Sequence, residues 1–368
     1  MSRQAIFRTL TVLTAIVTVL LSWPVWQVHA EPPSLPLLPL PAVSLGIALI
    51  AALLLCLGAP LAGWCAYVGV FAYAVLTDQT RLQPEFLTFA FFLAAGLPGA
   101  AGLTLARVYL VTLWFYAGLH KLLSVDFMTQ SDTWMLRTMT GDPAPWLRAL
   151  FPWTIVAAEI GTALLALVPR TRRLAVAAAI LLHGGILLSL VRADWNRTVW
   201  PWNLLCAIAA VFLILPWRRS LGEEWRAARP AVRLGALVLA VYPLGFYAGV
   251  VDTYLSHSLY AQDQPRGYVC NLSGDPQPRR PGLGTEIAYN HRDGPFQCRE
   301  IFVSDVLGVP LPPLHRLFAD YFTRTCISDE FLLILERRRF TAEDARQVIL
   351  RCPVDVEAPA GETPRTRL

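Results

Sequence analysis

Residues 42–76 read AVSLGIALIAALLLCLGAPLAGWCAYVGVFAYAVL, thirty-five positions without a charge. An apolar helix crosses a bilayer in about 17–25 residues, so this run is too long for one span. Gly58-Ala59-Pro60 interrupts it where a tight turn belongs, which predicts a hairpin of two spans. The run 86–119 is interrupted in the same way by Gly96-Leu97-Pro98-Gly99. Working outward, apolar segments fall at about 5–22, 42–57, 60–76, 86–98, 101–119, 151–168, 174–191, 200–216 and 234–256. The fourth is short for a full crossing and is expected to be re-entrant or tilted. The predicted fold is an all-α polytopic membrane bundle of about nine helices over 1–256, followed by a small α+β domain over 257–368.

Composition agrees. Of 368 residues, 55% are hydrophobic and 15% charged, and the mean hydropathy is +0.48. Soluble domains carry about 25% charged residues, so the composition speaks against a single cytosolic domain. The net charge of +5 is spread in short clusters between apolar segments, which speaks for membrane orientation and against a nucleic-acid partner. Arg3 and Arg8, the turn Arg170 to Arg173, and Arg218 to Arg233 fall on one side if nine spans are counted. That side is expected to be cytoplasmic, which puts the N-terminus inside and the C-terminal domain outside a cell (inner) membrane. Residues 1–30 also read as a signal peptide ending Val28-His29-Ala30, although the apolar stretch is long enough to be retained as a span.

In the C-terminal part, Gly267–Asn271, Glu286–Tyr289 and Phe331–Glu336 predict strands; Pro313–Arg324 and Thr341–Cys352 predict helices, the last opened by a capping box. Cys270, Cys298, Cys326 and Cys352 lie here, whereas Cys56, Cys65 and Cys206 lie in spans. Four cysteines in a small external domain imply two disulfides, with three pairings open. Zinc is the weaker alternative, since no CxxC or clustered CxxH spacing is present, and no metal is predicted.

Chemistry is sought among polar residues inside spans. All but one of the 31 basic residues are arginine; the exception is Lys121. A lysine in a dry pocket can serve as a base, which arginine cannot. On the fifth segment Arg107, Trp114, Gly118 and Lys121 share one face, with Tyr116 and His120 beside them. Lysine snorkelling beside an aromatic belt is the competing structural reading. Glu159 lies about two turns into the sixth segment and needs a partner, for which Arg107, Arg148 or a histidine are candidates. His183 sits mid-way along the seventh, and with Glu159 could form a proton relay. Asn203, just inside the eighth, is a further binding candidate. Nucleotide, haem, zinc-protease and serine-hydrolase motifs are missing from the chain.

The stretch Tyr116-Ala117-Gly118-Leu119-His120-Lys121-Leu122, followed by Glu159-Ile160-Gly161 and the segment bearing His183, resembles the HTTM superfamily, the membrane domain of the vitamin K-dependent γ-carboxylase. The resemblance implies a reduced quinone (vitamin K or menaquinone) as cofactor and Lys121 as the base that deprotonates it. His183 and Glu159 would handle protons, while Arg107, Trp114, Tyr116, His120 and Asn203 would bind substrate. A peptide or protein on the outer side would be the partner. The alternative is a non-enzymatic membrane protein that displays its disulfide-bonded domain to a partner. A transporter ranks third, since no inverted repeat is visible.

Overall fold

A computed structural model describes residues 2–29, 32–130, 133–261, 264–271, 283–291, 294–301, 303–304, 307–326, 331–337, 346–352 and 355–357. The bundle is built from α1 (Arg3–Leu21), α2 (Gly46–Gly58), α3 (Pro60–Thr77), α4 (Pro84–Ala95), α5 (Ala101–Leu123), the short α6 (Val125–Gln130) and α7 (Thr133–Thr140), α8 (Pro145–Leu167), α9 (Arg172–Arg192), α10 (Val199–Ala209), α11 (Leu221–Ala227), α12 (Pro230–Val241) and α13 (Gly245–Ala248). Each of the nine apolar segments is helical over most of its length. Among the described residues, six helices are long and apolar enough to cross a membrane: α1, α3, α5, α8, α9 and the Pro230–Ala248 stretch. Gly46–Gly58, Pro84–Ala95 and Val199–Ile214 are shorter apolar helices. Ile47, Leu61, Leu174, Leu181 and Leu234 stand at least 60% exposed on the rim, which suits a lipid solvent and not water. The chain is a multi-pass membrane protein.

The first predicted hairpin turns where expected. α2 ends at Gly58 and Pro60 opens α3 at the position where a missing N–H costs nothing. A Cβ on Gly63 would stand 2.3 Å from the Cys56 backbone nitrogen, so glycine is what lets the two helices touch. Behind them lies an aromatic core in which Trp26, Phe86, Phe89 and Phe92 are fully buried. Tyr67 donates to the Phe86 carbonyl at 2.8 Å and Trp64 to that of Ala90 at 2.8 Å, fixing α3 against α4.

Two expectations along the bundle need correcting. The interval 120–150 between the fifth and sixth apolar segments, for which no helix is expected, holds the end of α5, the helices α6 and α7 and the start of α8. The last apolar segment stops at Ala248, where Gly249 at φ +75° caps it, and 251–260 run through turns. Apolar composition carried the sequence reading past that left-handed stop.

The C-terminal region contains a six-stranded antiparallel sheet, order β2-β3-β1-β6-β7-β8, formed by β1 (Arg266–Asn271), β2 (Leu283–His291), β3 (Gly294–Ile301), β6 (Phe331–Arg337), β7 (Arg346–Arg351) and β8 (Asp355–Glu357). β4 (Val303–Ser304) pairs with β5 (Val309–Pro310), and α14 (His315–Thr325) packs on the larger sheet. Alternation sorts its residues: Val269, Leu333 and Leu335 join the main core with Phe318 of α14, while Tyr268, Cys270, Cys298, Leu332 and Ile334 cluster on the opposite face. Both disulfides form, as Cys270–Cys298 across the β1–β3 pair and Cys326–Cys352. The helix expected over Thr341–Cys352 is not found: Arg346–Arg351 is a strand paired with β6, and the apolar run Val348-Ile349-Leu350, with two β-branched residues, suits it. The capping-box residues 341–344 lie outside the described residues.

Candidate functional site

α5 is the organising helix. Its Gly118 lies against α8, where an added Cβ would meet Ile160 Cγ1 at 2.7 Å and Glu159 Cβ at 3.0 Å. That close approach brings Lys121 Nζ to 2.9 Å from Glu159 Oε1, and Nζ also donates to the Ala117 carbonyl at 3.3 Å. Both side chains are buried, with Phe127 of α6 covering the ammonium at 5.9 Å from its ring centre. Glu159 Oε2 and Thr162 Oγ1 are buried without a hydrogen-bond partner among the described residues. The partner that the glutamate requires is thus Lys121; neither Arg107, Arg148 nor a histidine supplies it.

One level away, Trp114 Nε1 donates to His183 Nε2 at 2.9 Å, and His183 Nδ1 lies 3.0 Å from Asn203 Oδ1. Because Nε2 accepts, Nδ1 carries the proton and donates to the asparagine. Asn203 Nδ2 donates to the Val199 carbonyl at 2.9 Å. The chain Trp114–His183–Asn203 therefore ties α5, α9 and α10 together with both imidazole nitrogens engaged. It does not form the expected relay with Glu159.

Tyr116 and His120 face the Pro230–Ala248 stretch and the turns C-terminal to it. Tyr116 donates to the Ala240 carbonyl at 2.6 Å. His120 Nε2 donates to the Ser256 carbonyl at 3.0 Å and Nδ1 accepts from Tyr247 at 2.7 Å. Arg107 lies fourteen residues before Lys121, about 21 Å along the helix. Its Nε donates to the Leu213 carbonyl at 3.0 Å, and Glu224 Oε1 is 3.5 Å from the guanidinium. Arg107 belongs to the end of the bundle where Arg3 and Arg8 donate to the Val211 and Gly96 carbonyls and Arg172 stacks on Trp217. The proposed binding residues are thus spread over three levels and do not line one chamber.

The opposite end carries the sheet. Arg316 of α14 bridges Gln79 Oε1 at 2.8 Å and Asp252 at 2.7 Å; Gln83 donates to the Pro310 carbonyl at 2.9 Å, and Thr253 to that of Pro313 at 3.1 Å. Beneath these contacts, Arg81 is fully buried and donates to the Val25 and Gln27 carbonyls, each at 2.9 Å. His29 Nε2 lies 2.9 Å from Asp78 Oδ2. Burial alone would raise the Asp78 carboxyl, but His29 and the Thr80 hydrogen bonds outweigh it and hold the group below its usual range.

The sequence reading missed Asp78, Arg81 and Glu85. The signal for Glu85 was present: an acidic residue directly after Pro84 at the mouth of an apolar run marks a helix start. Among the described residues no cluster of His, Cys, Asp and Glu could hold a metal.

The comparisons overturn the carboxylase-like resemblance. The family model that matches the stretch bearing Lys121, Glu159 and His183 is not HTTM, and the quinone that HTTM implied rests on no such match. No curated protein and no solved structure matches the chain. Residues 99–199, from the start of α5 to the start of α10, match the family of methylamine utilisation protein MauE.

Proposed function

We propose that this chain is a non-catalytic membrane anchor that holds its disulfide-bonded C-terminal domain, residues 257–368, at the extracytoplasmic face for a protein partner. The observation that carries this reading is the docking of that region. Arg316 reaches both Gln79, between α3 and α4, and Asp252, after α13. Orientation is thereby set from two separate parts of the bundle. The arginine-bearing opposite end supports a cytoplasmic placement of the N-terminus by the positive-inside rule. The name of the matched family supports a place beside amine-using enzymes.

The test is complementation of a strain lacking the chain. Arg316→Ala and the double change Cys270→Ser/Cys298→Ser should abolish function at normal membrane abundance, while Lys121→Arg, which keeps the charge beside Glu159, should restore it. Loss of function in Lys121→Arg with the docking variants active would defeat the reading.

A second reading, a quinol held at Lys121, is favoured by the unpartnered Glu159 Oε2 and Thr162 Oγ1. The donor and acceptor set fits a quinol hydroxyl, with Lys121 and Glu159 as the holding groups. A quinol would supply two electrons and two protons. Oxygen-dependent turnover of reduced menaquinone by wild type and not by Lys121→Arg, followed by mass spectrometry, would establish it; no turnover by either would exclude it.

A further inference from the structure

A second constellation lies at the sheet end, apart from Lys121. A cavity of about 480 Å³, open solvent at its mouth included, is lined by Glu85, Trp195, Asn196, Trp202, Tyr254 and Tyr260. Glu85 is 0% exposed, and neither of its carboxylate oxygens has a hydrogen-bond partner from another residue among those described. Trp202 Nε1 is likewise buried without a partner. None of the described lining residues is basic. A carboxylate buried alone costs several kcal/mol unless something pairs with it, so the cavity holds a carboxyl group inside aromatic walls that a bound cation would pair with and keep ionised. Glu85 also sits in the first turn of α4, where a helix favours negative charge.

The walls are held in an unfavourable backbone conformation. Asp194, Asn196, His257 and Tyr260 are the non-glycine residues at positive φ among those described, and all four belong to the two segments that supply the tryptophan and tyrosines. Asn196 Nδ2 donates to the Tyr260 hydroxyl at 3.0 Å, locking these two segments together. Strain of this kind persists where surrounding structure imposes it, and it clusters at ligand clamps. Burial pushes the Tyr254 and Tyr260 phenols up, with the Glu85 charge adding to both, so they stay neutral π-faces and donors. Pro310 of the C-terminal region forms part of the cover.

We propose that this cavity binds a small organic cation, a primary or methylated ammonium group, with Glu85 as its counter-charge and the tryptophan and tyrosine rings as its cation–π walls. Aromatic faces favour such a group over a strongly hydrated metal ion. The group could arrive as a free amine or as the headgroup of phosphatidylethanolamine. This site is independent of the anchoring role proposed above, and either can fail without the other.

The test uses the full chain in nanodiscs of phosphatidylglycerol, which brings no ammonium. Methylammonium chloride is titrated against tryptophan fluorescence, with sodium chloride at equal ionic strength as control. The expected result is a saturable change in wild type that is lost in Glu85→Gln and about tenfold weaker in Trp195→Leu. Glu85→Gln relieves a buried charge and should fold; retention of the Cys270–Cys298 and Cys326–Cys352 bonds checks this. If phosphatidylethanolamine in the nanodisc produces the Glu85-dependent change and blocks methylammonium, the headgroup is the occupant; if it does neither, the free amine is. No Glu85-dependent change with either probe overturns the proposal.

Discussion

Lys121 Nζ stands 2.9 Å from Glu159 Oε1 one helical turn beyond Gly118, the residue that lets α5 touch α8. The pair sits in a lipid-embedded interior, where removing one partner strands the other. Lys121→Met or Glu159→Leu alone should cost about 3–5 kcal/mol, and the double variant should recover most of that. A double-mutant cycle on unfolding in mixed detergent micelles measures the coupling; additive losses would mean that the two groups do not support each other.

Gly118→Ala should destabilise the bundle by about 1–3 kcal/mol, because the new methyl would overlap Ile160 and Glu159. Gly161, with nothing near its missing Cβ, is the control and should tolerate alanine at little cost. The melting shift of the two variants gives the comparison.

His183→Phe leaves Trp114 Nε1 and Asn203 Oδ1 without their shared partner. A loss of about 1–3 kcal/mol is expected, with hydrogen exchange rising along α9 and α10. A merely space-filling histidine would show neither.

His257 gives a pH dependence whose sign can be worked out. Burial pushes its imidazole down to about 3. The unfolded chain takes up a proton near its ordinary value of about 6.5 and the folded one does not. Stability should therefore be level above that value and fall as pH drops towards 3, by at most about 1.4 kcal/mol per unit. His257→Asn, which suits the φ of +64° and does not titrate, should remove this one group's share of the slope over this window.

Peptide mapping without reduction should return Cys270 joined to Cys298 and Cys326 joined to Cys352. Replacing either pair by serine should cost about 2–4 kcal/mol in the C-terminal region. Cys56, Cys65 and Cys206 should remain unpaired thiols.

Much of the bundle was legible because lipid forces backbone polar groups into helices and makes hydrophobicity a direct reporter of them. The apolar runs fall on helices, six of them long enough to span among the described residues, and the turn at Gly58-Ala59-Pro60 was read from three residues. What stayed hidden depended on contacts between distant parts of the chain. Lys121 and Glu159 were each singled out, yet their pairing rests on which helix Gly118 admits, and spacing within one helix does not say that. His183 drew attention as a buried ionisable group; only its neighbours show that both nitrogens are spent. Glu85 escaped because the apolar run was taken to start one residue after it. Arg346–Arg351 was misread because a short apolar run, Val348-Ile349-Leu350, bounded by charges fits a helix as readily as a strand.

The turn between α2 and α3 also bears on how the protein is made. From Pro32 to Thr77 the chain has no charged residue, so nothing at Ala59 would hold that turn in an aqueous compartment while the second helix is still emerging. The two helices must enter the bilayer together, as one insertion event. The second of them is then held against α4 by the hydrogen bonds of Trp64 and Tyr67 to the Ala90 and Phe86 carbonyls.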